Sequence, residues 1–181
     1  LAMESEKLMD ACATLPKPIV LVLIGGNSKH GKFERDDIHR LLDLSELLAG
    51  TGSLFISTSR RSPSFVAEIC KERLTCPYHL YKWGSKEANP YPGMLALASA
   101  IVVTGDSISM SSEACYSGKP VFLFNPQSLE SDKHREFQNS LLLEEYAKVL
   151  TPDASLEWKP KQRLDEISRI VTLIKSRAKS R

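Results

Sequence analysis

Residues 19–24 read Ile-Val-Leu-Val-Leu-Ile, an unbroken apolar run between Leu15-Pro16-Lys17-Pro18 and Gly25-Gly26. A run of this length, rich in β-branched side chains and without alternation, fits a strand buried on both faces, as in a parallel sheet. Parallel neighbours cannot be joined by a hairpin and need crossovers, usually helices. The rest of the chain meets that demand. A broad apolar face predicts a helix over 35–50, with Gly50 or Gly52 as its stop. "SLFIST" (53–58) reads as the second strand, and Ser62-Pro63 starts a helix running to about Arg73. "YHLYKW" (78–83) is a shorter strand, "MLALAS" (94–99) one or two helical turns, and "AIVVT" (100–104) the fourth strand. A helix of roughly three turns then leads to "PVFLF" (120–124), followed by a helix over 132–146 and an edge strand at "KVL" (148–150). A weak helix over residues 1–15 and a closing helix from about Gln162, with Leu164, Ile167, Ile170, Val171 and Ile174 on one face, complete the pattern. Alternation of this kind predicts a doubly wound, three-layer α/β sandwich with a mostly parallel sheet. The expected organisation is a helical or interdomain segment at 1–15 and a nucleotide-binding-like domain over 16–181.

Composition narrows the function classes. The 181 residues are 42% hydrophobic and 25% charged, with a formal net charge of +2. That size supports one domain with a real core, and the balance argues against a dedicated nucleic-acid surface. Lys175, Arg177, Lys179 and Arg181 read as a solvated helix end. Cys12, Cys70, Cys76 and Cys115 lack metal-ligand spacing, and none of the four histidines has a partner at such spacing. No metal or cofactor is expected, and the thiols read as reduced, in a cytosol-like compartment. No apolar run reaches the roughly 18 residues of a membrane span, and there is no secretory signal pattern. The expected location is cytoplasmic, with peripheral membrane association as a further expectation.

In open α/β sheets ligands bind beyond the carboxyl ends of the strands. The first such loop is Gly25-Gly26-Asn27-Ser28-Lys29-His30. Two glycines permit a tight turn, a close approach of ligand to backbone, and N–H groups offered to an anion. The plain alternative is a strand-to-helix turn, since neither the dinucleotide fingerprint nor the phosphate-loop motif is present. Ser59, Arg60 and Arg61 follow the second strand and suit a diphosphate, or else a solvated loop. The third loop crowds Thr104, Gly105, Asp106, Ser107, Ser109, Ser111 and Ser112 about the start of a helix, with Glu113 in or near its first turn. One cap needs one hydroxyl, so the surplus points to a polar ligand, and Glu113 could accept two ribose hydroxyls or merely face the helix dipole. Asp106 as a catalytic base is a weaker reading. Trp83 and Tyr91 offer aromatic surfaces for a base, or simple anchors. Lys119 reads as a favourable charge at a helix end.

At "LIGGNSKH", "TSRRSP", "ANPY" and "VVTGDSISMSSEACYSGKPVFLF" the chain resembles bacterial relatives of the plant elongated-mitochondria, or mitochondrial-fission, family, from about residue 15 onward. The resemblance implies a fold similar to the C-terminal Rossmann-like domain of GT-B glycosyltransferases, which carries the nucleotide-sugar donor. It implies that Gly25, Gly26 and Asn27 lie near the diphosphate, that Ser107, Ser111 and Ser112 line the donor site, and that Glu113 takes the ribose hydroxyls. With Ser28, Ser59, Arg60 and Asp106, these form the candidate binding set for a nucleoside diphosphate sugar; no catalytic residue is assigned. The resemblance further implies a longer parent with an N-terminal acceptor domain, so that this chain would bind a donor without transferring it. The alternative it carries is a non-catalytic interaction or adaptor domain with a vestigial pocket. A nucleotide-sugar epimerase is disfavoured, because the Tyr-x-x-x-Lys pair and the dinucleotide fingerprint are missing.

Overall fold

A computed structural model describes residues 14–28, 31–86, 89–129 and 131–165. The elements in chain order are β1 (Ile19–Ile24), α1 (Arg35–Ala49), β2 (Ser53–Thr58), α2 (Val66–Arg73), β3 (Tyr78–Tyr81), α3 (Tyr91–Leu97), β4 (Ala100–Thr104), α4 (Ile108–Tyr116), β5 (Val121–Phe124), α5 (Asp132–Leu143) and β6 (Lys148–Val149). The strands form one six-stranded sheet in the order β3-β2-β1-β4-β5-β6, and every pairing is parallel. This is the doubly wound order, with its reversal between β1 and β4.

Alternate side chains of each central strand feed opposite layers. Val20, Val22 and Ile24 of β1 pack with Ile38, Leu41 and Leu42 of α1 and Val66, Ile69 and Cys70 of α2. Ile19, Leu21 and Leu23 pack with Met94 of α3, Ala114 and Cys115 of α4 and Leu141 of α5. All six β1 residues are buried, which is why that segment shows no polar alternation. Beyond β6 the chain returns across the first layer, placing Leu150, Ala154, Leu156 and Trp158 there. It then brings Leu164 to the second layer, where its N–H donates to the Cys115 carbonyl at 3.2 Å.

Several expected boundaries move for local reasons. Helix α1 ends at Gly50, whose φ of 60° suits a residue without Cβ. Helix α2 begins at Val66 instead of Ser62, because the Ser62 hydroxyl is drawn to the carbonyls of Ile24 and Gly25. Strand β3 stops at Tyr81, where the chain turns through Lys82–Ser85. Helix α3 starts at Tyr91, earlier than expected, with Pro92 in its first turn, where the missing N–H is harmless. Helix α5 ends at Leu143, and Glu145 takes a positive φ of 56°. Residues 162–165 are not helical. The rest of the closing segment, and the helix expected before Thr14, lie outside the described residues.

Candidate functional site

The loops after β1, β2 and β4 meet at the strand-order reversal. Thr104 is the last residue of β4, and its hydroxyl accepts the Gly25 N–H at 2.8 Å. Two residues on, Asp106 accepts the Gly26 N–H through Oδ2 at 2.7 Å. The Gly25 carbonyl takes hydroxyls from Ser59, at 2.9 Å, and from Ser62. The Asn27 N–H donates to the Arg61 carbonyl at 3.0 Å, and the Asn27 side chain accepts the Phe33 N–H at 2.9 Å. The Ser28 N–H goes to the Gly31 carbonyl at 2.9 Å. The expectation that this glycine loop offers its N–H groups to an anion is therefore corrected: the amides of residues 25–28 are all engaged within the protein.

Glycine is required in the loop because the partner comes so close. A Cβ on Gly25 would stand 2.2 Å from an Asp106 carboxylate oxygen. The Asp106 side chain is only 3% exposed, with Arg61 Nη2 4.0 Å from its Oδ2. Its second oxygen, Oδ1, is buried without a hydrogen-bond partner among the described residues. Arg61, not Arg60, thus faces the crevice; Arg60 is exposed, with no ion pair among the described residues. A carboxylate anchored by a backbone N–H and backed by a guanidinium has the acceptor geometry of a bound anion.

Helix α4 starts with Ser107 as its cap, whose hydroxyl accepts the Met110 N–H at 3.4 Å. Ser111 is fully buried, and its hydroxyl finds no partner among the described residues. With the helix starting at Ile108, Glu113 falls in the second turn, near the first turn and not in it. Glu113 is exposed and stands beside the Tyr91 phenol. Burial first, and then the adjacent Glu113 carboxylate, through hydrogen bonding ahead of charge, push the Tyr91 phenol well above its ordinary pKa. Together with Ser112, Glu113 lines a groove of about 670 Å³ between α4 and α5. The structure thus joins Gly25, Gly26, Asn27, Ser59 and Asp106 in the crevice and puts Ser112 and Glu113 on the wall of this groove.

Gln138 carries a role not read from the sequence, and Lys119, expected to serve the end of its own helix, serves the end of α3 instead. Gln138 is buried, and its amide donates to the Gly105 carbonyl at 2.6 Å, tying α5 to the crevice floor. Lys119 Nζ donates to the carbonyls of Ala96, at 2.9 Å, and Ala98, closing the end of α3. Burial holds the Lys119 ammonium below its ordinary pKa. A second, more polar cleft of about 810 Å³ lies between Glu34, which caps α1, Asp37 and Arg40 of α1, and Asn125, Pro126 and Ser128 beyond β5. None of the expected site residues lines it. Among the described residues no group of His, Cys, Asp or Glu side chains is arranged to hold a metal ion, and no helix is long and apolar enough to cross a membrane.

Fold and crevice together define a doubly wound, Rossmann-like α/β domain whose central glycine loop is closed by its own side chains. The chain belongs to the mitochondrial fission ELM1 family, whose profile matches residues 1–178. It is 40% identical over 133 residues to the mitochondrial fission protein ELM1 of Arabidopsis thaliana, covering 73% of this chain and 31% of that protein. It is 35% identical over 168 residues to the protein RP120 of Rickettsia prowazekii (strain Madrid E), covering 88% of this chain and 46% of that protein. The chain thus spans less than half the length of either relative. Among solved structures it is similar to a UDP-GlcNAc 2-epimerase from Neisseria meningitidis bound to UDP-GlcNAc, at 18% identity and a TM-score of 0.48, over 82% of this chain and 36% of that one.

Proposed function

We propose that this chain is a non-catalytic interaction domain of its family, built on a donor-binding fold whose phosphate-side crevice is filled from within. One observation carries the reading: the Gly25 and Gly26 amides are held by the Thr104 hydroxyl and the buried Asp106 carboxylate. An incoming diphosphate would have to displace a carboxylate fixed between a backbone N–H and Arg61, and would meet its negative charge. The Arabidopsis relative is named as a mitochondrial fission protein, and an adaptor role agrees with that name. Calorimetric titration of the full chain with nucleoside diphosphates and their sugar conjugates tests the proposal. The expected result is no saturable heat and no thermal shift. Saturable binding with one base preferred would overturn it.

A second reading, a nucleoside diphosphate sugar site for a longer GT-B-like parent, is favoured by the start of α4. There Ser107 is half-buried and Ser109 exposed, at a helix end whose first N–H groups attract anions. In that case Glu113→Ala abolishes nucleotide binding while Asp106→Asn leaves it intact or strengthens it.

A further inference from the structure

We infer that the groove between α4 and α5 is a docking site for a basic amphipathic helix of a partner protein. The inference rests on the interaction-domain reading and gives it a surface. Leu95, Phe137, Leu141, Tyr146 and Leu164 supply apolar lining, and Tyr116, 51% exposed, forms part of the wall. A helix presents apolar anchors at i, i+3, i+4 and i+7, the pattern that an apolar groove between two helices receives.

The rim sets the sign of the partner. Glu113, Glu144 and Asp165 line the groove. Asp165 is paired with Arg163 at 3.2 Å, whereas Glu113 and Glu144 have no ion pair among the described residues. The chain itself shows how a cation fits there: the Arg163 guanidinium lies over the Tyr116 ring at 5.3 Å from its centroid. An apolar trough with acids at its lip and an aromatic wall that already accepts a guanidinium complements a helix with an apolar stripe flanked by Lys and Arg. It repels a nucleotide or an anionic membrane.

The test is a fluorescence-anisotropy titration of the full chain with a labelled Leu/Lys amphipathic helix peptide, beside its Leu/Glu counterpart. The expected result is saturable binding of the Leu/Lys peptide alone, weakened about tenfold in Glu113→Lys/Glu144→Lys through loss of two rim pairs. Glu68→Lys, on the opposite layer, should bind as the parent does, and unchanged melting of the variants excludes misfolding. No binding, or binding indifferent to the rim reversal, overturns the inference. Binding that emerges only with Ile170→Asp/Ile174→Asp would assign the groove to the chain's own terminal segment, and a concentration-dependent dimer broken by the rim reversal would assign it to a second copy; either overturns a partner helix. If the peptide fails while nucleotides also fail to bind, the groove is wrong and the interaction-domain reading stands on another surface.

Discussion

Asp106 accepts the N–H of Gly26 at 2.7 Å from eighty positions further along the chain. The bond joins the β1 loop to the β4 loop at the strand-order reversal, so the state of that crevice can be read through stability as well as through binding. Asp106→Ala leaves a buried N–H without its acceptor, an expected loss of about 1–3 kcal/mol. Gly25→Ala drives a Cβ into the same carboxylate and should cost about 1–3 kcal/mol as overpacking. With the carboxylate gone that clash is relieved, so the double variant should lose less than the sum, by at least about 0.5 kcal/mol. Urea unfolding of the parent, both single variants and the double variant checks this; strict additivity would mean that Gly25 and Asp106 do not meet.

Glu46 gives a pH signature far from the crevice. Burial alone would raise its pKa, but the Thr75 hydroxyl and the Cys76 and Thr75 N–H groups donate to it at 2.7, 2.6 and 2.8 Å and hold it below the ordinary value. A carboxyl depressed in the fold stabilises fully above its unfolded pKa of about 4.3 and loses that contribution as pH falls through the lower folded value. Glu46→Gln should cost about 1 kcal/mol at neutral pH, and the gap from the parent should close in acid. Denaturant midpoints measured from neutral to acid pH would show it; a gap constant with pH would rule it out.

Three thiols should be slow to react. Burial pushes Cys70 and Cys76 up to about 11 and Cys115 up to about 12, with the Glu46 charge adding to the effect at Cys76. Alkylation depends on the thiolate. At mild alkaline pH iodoacetamide should label Cys70 and Cys76 about 100-fold, and Cys115 about 1000-fold, more slowly in the native chain than in the unfolded one, whose thiols have the ordinary pKa. Peptide mapping reads the sites one by one. Glu46→Gln should speed Cys76 selectively, and equal speeding of Cys70 would show local opening instead of lost charge.

Lys119 ties α4's exit to α3. Lys119→Met keeps the aliphatic stem but leaves the Ala96 and Ala98 carbonyls without their cationic donor, an expected loss of about 1–3 kcal/mol. Lys119→Arg should recover part of it. Thermal melting of the three proteins is the check; a Met variant as stable as the parent would mean that water serves those carbonyls equally well.

The parallel sheet was legible because burial on both faces leaves its mark in one strand's composition: Ile19–Ile24 and Ala100–Thr104 are continuous runs with no alternation. The crevice was legible only as parts. Gly25, Gly26 and Asp106 stand out singly, but nothing local states that the carboxylate reaches the amide, since that contact depends on how β1 and β4 lie side by side. Ser62-Pro63 resembles a helix start, and the long-range pull of the Ile24 and Gly25 carbonyls on the Ser62 hydroxyl won instead. The register of α4 was ambiguous because several hydroxyls can cap; with Ser107 as the cap, Glu113 moves into the second turn. Gln138 gave no signal at all, being one polar residue among many on an amphipathic helix.

The pairing of β1 with β4, Val20 beside Ala100 and Leu23 beside Val103, also shapes how the molecule is born. Strands β1, β2 and β3 can associate progressively as they are made, each with a neighbour close behind. The β1–β4 ladder must draw together the ends of a far longer loop, with the entropy of that closure lost before any of its contacts are gained. The crevice is therefore a seam between two half-sheets, and the bonds of Gly25 and Gly26 to Thr104 and Asp106 can exist only once that closure is complete.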